Sequence, residues 1–296
     1  MAAGVLTSML PFILATDPAY GVKHSPWYLI GVGVLFGALF TAWELWRENR
    51  QHSVVMPRAL MKNAGFTLGS AVSTCYFAGW TGVFIVLTLY LQQGLGMAAW
   101  LAGLMQVPLA LMGAYGSQRS SVWMTLRGRW LVLIGLVVTM AGLGLMAASA
   151  LLLSEDFAWL GILIAGAIAG FGSGITISPN QTFALAEVSV KQAGAAGGVL
   201  QTMQRVGSAV GIAGVTLVFF ATRFDTTLAG YAHAFGISLA FIIALMAVGA
   251  LCALSDALRN DGRNELLEME APQPVEEPRL EKEPQPVTEP QPVTEP

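Results

Sequence analysis

Gln201, Gln204, Arg205 and Ser208 follow one another at spacings of three, one and three residues inside an otherwise apolar run. On a helix these positions form one stripe. Two amides, a hydroxyl and a guanidinium offer hydrogen bonds and one fixed positive charge, which is the chemistry of recognition rather than of bond cleavage. Gly197, Gly198 and Gly211 lie near the same face and remove bulk beside it. Polar groups in a membrane helix are expensive, so such a stripe faces a bundle interior or a water-filled cavity. Arg205 stands about eight residues, or roughly 12 Å, from the expected helix start. Two uses are open to it. It snorkels to the cytoplasmic surface and braces its helix, or it takes part in gating and substrate passage.

A weaker stripe runs through Ser70, Thr74, Thr81 and Thr88. Thr74 and Thr81 are candidates for the same pathway, although a lone Ser or Thr in a membrane helix ordinarily bonds its own backbone. Gly166, Gly170 and Gly174 form a doubled GxxxG and Gly207 with Gly211 another. That spacing permits close helix approach, with a flexible transport helix as the alternative. Pro108, close to Gln106, marks a kink or an unwound turn. Cys75 and Cys252 each sit in an apolar run, and His24, His52 and His233 are scattered. No cluster has metal-ligand spacing, and there is no phosphate-cradling loop, nucleophile motif or basic nucleic-acid patch. An enzyme, a cofactor, a metal and a nucleic-acid partner are therefore not expected. No Asp or Glu falls at mid-membrane depth either, where a proton-coupled carrier normally keeps a carboxylate.

The elements that hold these residues are read from hydropathy. Apolar residues make up 55% of the chain and charged residues 11%, less than half the charge of an ordinary soluble domain. Seven runs are long enough to span a bilayer: Trp27–Trp46, Phe66–Leu91, Met97–Tyr115, Trp130–Leu153, Phe157–Ser178, Gly197–Ala221 and Ala232–Leu254. Residues 1–15 read as the last part of a further helix whose beginning is missing. Loops 47–65, 116–129 and 179–196 and the end of the last run carry ten Lys and Arg, against two on the opposite side. The basic side is expected to be cytoplasmic, with the carboxy terminus there too. Residues 255–296 are different material. They repeat EPQPVT, hold eleven of the eighteen acids, and read as a disordered acidic cytoplasmic tail.

ISPNQTFALAEVSVKQAGAAGGVLQTMQRVGSAVGIA, Ile177 to Ala213, resembles the corresponding stretch of fourteen-span drug:proton antiporters, the EmrB/QacA branch of the major facilitator superfamily. YLQQGLGMAAWLAGLMQVPLAL, Tyr90 to Leu111, is similar to another stretch of that branch. GAYGSQRSSVWMTLRGRW occupies the place of the superfamily's basic loop. It keeps Arg119, Arg127 and Arg129 as gating-loop candidates and lacks the acidic residue of the full motif. The resemblance implies an all-α, polytopic membrane helix bundle. Residues 1–15 and 27–46 would be linker helices and 66–254 the carboxy-terminal six-helix domain. The amino-terminal half, with the acids used for proton coupling, would be missing. The implied function is one half of a proton-coupled multidrug exporter in the cell membrane, working by alternating access on a small amphipathic or lipophilic, cation-like substrate. Such a half is not expected to transport alone. The alternative is a non-transporting membrane scaffold that binds a partner through its acidic tail.

Overall fold

The computed structural model describes residues 7, 26, 28–49, 58–186 and 188–260. The partial helix expected over 1–15, apart from Thr7, and the tail beyond residue 260 lie outside the described residues. Within them the elements are α1 (Tyr28–Asn49), α2 (Arg58–Lys62), α3 (Ala64–Leu89, extended by a π turn over Tyr90–Gly94), α4 (Ala99–Leu104), α5 (Val107–Arg127), α6 (Trp130–Leu152), α7 (Glu155–Ala186), α8 (Ala193–Thr222) and α9 (Leu228–Asn260). Among the described residues six segments are long and apolar enough to cross a membrane: Ala64–Gly94, Ala99–Arg127, Trp130–Leu152, Glu155–Ala186, Ala193–Thr222 and Leu228–Arg259; the first run, expected as a seventh span, is not one of them. This is the expected all-α polytopic bundle, and α1 coincides with the first apolar run.

Local chemistry sets the boundaries. Asn63 caps α3 by accepting from the Phe66 N–H at 3.0 Å. Glu155 and Asp156 occupy the first turn of α7, where acids meet the positive end of the helix dipole. Pro108 sits in the first turn of α5. It has no N–H to offer to the preceding turn, so the span breaks at Met105–Gln106, as expected of a kink there.

The helices outrun their apolar stretches. Residues 116–129, expected as a loop, are helical through Arg127, and only Gly128, at φ 54°, turns the chain into α6. Ser120, Ser121 and Thr125 bond carbonyls of their own helix at 2.7–2.8 Å. The backbone ladder thus continues after hydropathy has fallen. Likewise α7 runs through Pro179 to Ala186 and α9 runs on to Asn260, so residues 255–260 belong to the bundle.

In the packing, α7 lies against both α5 and α6, α3 against both α8 and α9, and α7 meets α3 in the middle. Behind them α6 packs on α9. The result is a front layer in the order α5, α7, α3, α8, with α6 and α9 as the back layer. Glycines set the close crossings. A methyl group at Gly170 or Gly174 of α7 would overlap the Leu109 or Gly113 carbonyl of α5. At Gly207 or Gly211 of α8 it would overlap the Thr74 or Ala78 carbonyl of α3. Both GxxxG patterns therefore act in packing, through Gly170, Gly174, Gly207 and Gly211.

Candidate functional site

The front layer has the two least buried spans, at 22% for Ala99–Arg127 and 28% for Ala193–Thr222. Its polar residues fall into two groups, one turned into the bundle and one left open.

The inward group joins α3, α7 and α8. Asn180 donates to the Ser73 hydroxyl at 2.8 Å and to the Gly69 carbonyl at 3.0 Å. Gln204 approaches the same Ser73 hydroxyl at 3.5 Å, the long end of hydrogen-bond range. The Tyr76 hydroxyl donates to Ser173 at 2.8 Å. Ser70 contributes a further buried hydroxyl with no hydrogen-bond partner among the described residues. Pro179 precedes Asn180 within α7, and its missing N–H frees one carbonyl of the preceding turn.

The open group holds the rest of the α8 stripe. Gln201 and Arg205 are exposed, Ser208 is half-buried, and only Gln204 turns inward. Helix α8 begins at Ala193, four residues before the expected start, so Arg205 lies about 18 Å from that end rather than 12 Å. Thr74 and Thr81 on α3 are half-buried and donate to the Ser70 and Phe77 carbonyls at 2.8 and 2.7 Å. The α8 stripe meets the α3 residues through Gln204 and Ser73, one residue before Thr74, while Thr81 is two turns away. Between α5 and α7 a groove of about 460 Å³ is lined by Ser117, Ser173, Ser178, Gln181, Thr182 and Ile177, with Gly113 and Gly174 at its base. The sequence reading missed this groove because its two sides come from different helices.

The three arginines of the expected gating loop part company. Arg119 is exposed on α5 and donates from Nε to the Tyr115 hydroxyl at 3.1 Å, with its guanidinium 5.3 Å from that ring. Arg127 is exposed beside Leu131 and Ile134. Arg129 is buried, 2.7 Å from Asp256 on α9 and 5.4 Å from the Phe183 ring of α7. The ion-pair partner of Arg129 thus comes from the last helix. Reading 255–296 whole as tail hides Asp256 from the sequence. The spacing of Ala253 and Ala257, both buried, was the available signal that the helix continues.

At the other end Arg223 donates to the Tyr231 hydroxyl at 3.0 Å, which in turn donates to Gln93 at 3.2 Å. No group of three or more His, Cys, Asp or Glu that could hold a metal occurs among the described residues.

Comparison with known proteins adds the lineage. Residues 2–212 match the Major Facilitator Superfamily. The chain is 31% identical over 227 residues to a protein named a probable actinorhodin transporter from Streptomyces coelicolor, an overlap of 74% of this chain and 38% of that protein. It is 28% identical over 222 residues to the methylenomycin A resistance protein of the same organism, covering 74% of this chain and 45% of that one. It is also 28% identical over 216 residues to the multidrug resistance protein Stp of Mycobacterium tuberculosis, covering 70% and 39%. The chain therefore spans 38–45% of the length of these relatives.

Proposed function

Because the chain belongs to the major facilitator superfamily, a family of transporters and not of enzymes, we propose that it is the carboxy-terminal half of a drug or antibiotic exporter of the fourteen-span EmrB/QacA branch. The observation that carries this reading is the front layer. Helices α5 and α8 are the least buried spans and still bear polar side chains at membrane depth. A surface of that kind suits a water-filled cavity shared with a second half. The names of the relatives, a transporter and two resistance proteins, support export as the direction of work. Their greater length supports a second helical domain as the partner.

On this reading the buried Asn180–Ser73–Gln204 and Arg129–Asp256 contacts make the half a rigid body. Alternating access arises from rocking of that body against its partner. The basic end, with Arg119, Arg127, Arg129 and Arg259, is cytoplasmic. Proton coupling resides in carboxylates of the other half, since the acids of the six spans sit at helix ends, Glu155 and Asp156 at the start of α7 and Asp256 near the end of α9 paired with Arg129.

The test is dye export from cells. The chain alone is expected to confer none, and co-expression with an amino-terminal half of this branch is expected to restore it. Proton-driven export by the purified 296-residue chain in vesicles would overturn the reading.

A further inference from the structure

The front layer is unusual in its charge. Between Ala64 and Thr222 the only acidic residues are Glu155, Asp156 and Glu187. The first two sit at the start of α7, at the end opposite the basic one, and Glu187 lies between α7 and α8. At the basic end Asp256 is engaged by Arg129. Arg205 is exposed, and among the described residues it has no hydrogen bond or ion pair.

Centred in a bilayer, α8 holds Arg205 too deep for simple anchoring. Helix α8 has 30 residues and is therefore about 45 Å long. Centred on a hydrocarbon core of about 30 Å, it overhangs by roughly 7 Å at each end. Arg205, about 18 Å along it, then lies roughly 10 Å inside the core boundary. A side chain roughly 6 Å long covers only part of that distance. The approach is open as well. Gly194, Gly198, Gln201 and Arg205 recur at four, three and four residues, and all four are exposed. A methyl group at Gly194 or Gly198 would have nothing within 4 Å. An open strip of α8 thus runs from its basic end to the guanidinium, with the Gln201 amide one turn before it.

Building on the transporter-half reading, we propose that Arg205 is the anion-recognising point of this wall. The substrates it accepts then carry an oxyanion, such as a carboxylate, phenolate or sulfonate, on an apolar body. A guanidinium pairs with such groups through two parallel hydrogen bonds, with a neighbouring amide as a further donor. A cationic substrate would meet a positive charge on a wall whose carboxylates among the described residues, Glu155 and Asp156, sit at the far end of α7. This departs from the cation-like substrate expected from the sequence.

The test uses the purified full chain in zwitterionic-lipid nanodiscs, with empty nanodiscs subtracted. Two fluorescent probes share one ring system: 8-anilinonaphthalene-1-sulfonate, and N-phenyl-1-naphthylamine, which lacks the sulfonate. The expected result is saturable binding of the sulfonate about tenfold tighter than of its neutral counterpart. That preference should be lost in Arg205→Gln, partly kept in Arg205→Lys, and unchanged in Arg259→Gln, a control at the exposed end of α9. Circular dichroism and elution volume should match across the variants. Absence of saturable sulfonate binding, affinity unaltered by Arg205→Gln, or an equal loss in Arg259→Gln would each overturn the proposal. Export by paired halves without an anion preference would sink this inference alone. Sulfonate binding by a chain that never supports export with any amino-terminal half would sink the transporter reading alone.

Discussion

Ser73 accepts from Asn180 on α7 and, more distantly, from Gln204 on α8, while Asn180 also holds the Gly69 carbonyl. Interhelical hydrogen bonds in membranes average about 0.6 kcal/mol and reach about 1.7. Asn180→Leu should therefore lower unfolding free energy by roughly 1 kcal/mol, measured by reversible denaturation in micelles. A cycle with Ser73→Ala should show coupling between the two sites; simple additivity would mean the contact is idle. Arg129 and Asp256 form a stronger case, since breaking a buried ion pair leaves a charge uncompensated at a cost of about 3–5 kcal/mol. Arg129→Ala should be the most damaging single change at the basic end. Exchanging the two residues should recover part of the loss in the same assay. Neither contact was legible in the sequence, because their partners are 107 and 127 residues apart and periodicity compares only neighbours within one helix. Periodicity found the α8 stripe but not its division. Gln204 and Arg205 are about 100° apart around the helix, and that angle sends one into the bundle and the other out of it.

The helices themselves were largely readable. Each of the seven spanning runs is largely helical among the described residues, Met97–Tyr115 as two helices broken at Met105–Gln106, and several continue into polar residues that hydropathy discards. The glycine pairs were readable too, because small residues at four-residue spacing make close crossings between membrane helices. What the spacing could not supply was the partner helix. The structure separates glycines that are pressed from glycines that are free. Gly174→Ala and Gly211→Ala place a methyl group into a facing carbonyl and should cost about 1–3 kcal/mol as overpacking. Gly197→Ala and Gly103→Ala, with nothing within 4 Å, should be neutral or slightly stabilising through helix propensity. Melting curves of the four variants check this, and equal shifts in all of them would contradict the crossing geometry.

For the whole molecule, the layer order explains why so little of the candidate site was visible beforehand. The groove takes one side from α5 and the other from α7, and the polar cluster joins α3, α7 and α8, so neither exists until the helices are laid side by side. Orientation rests on the loop charges and yields a direct prediction. In a background with Cys75→Ala and Cys252→Ala, a membrane-impermeant maleimide applied to intact cells should label Thr226→Cys and leave Ser189→Cys unlabelled until the cells are opened. The opposite pattern would invert the topology.

Helix α7 is gripped on two sides, by α5 at Gly170 and Gly174 and by α6 at Gly172. Any base change that alters a glycine codon's meaning installs a larger residue or a stop. Third-position changes in these codons are silent, but missense alleles of this stretch should be lost from a mutagenised population selected for the export proposed above. On the exporter reading, inherited changes in substrate range arise elsewhere. Ser178, Gln181 and Thr182, on the same helix but facing the groove, are where a sequencing count of survivors should find tolerated variants. Enrichment at Gly170 or Gly174 instead would mean that the crossing is not fixed in the working protein.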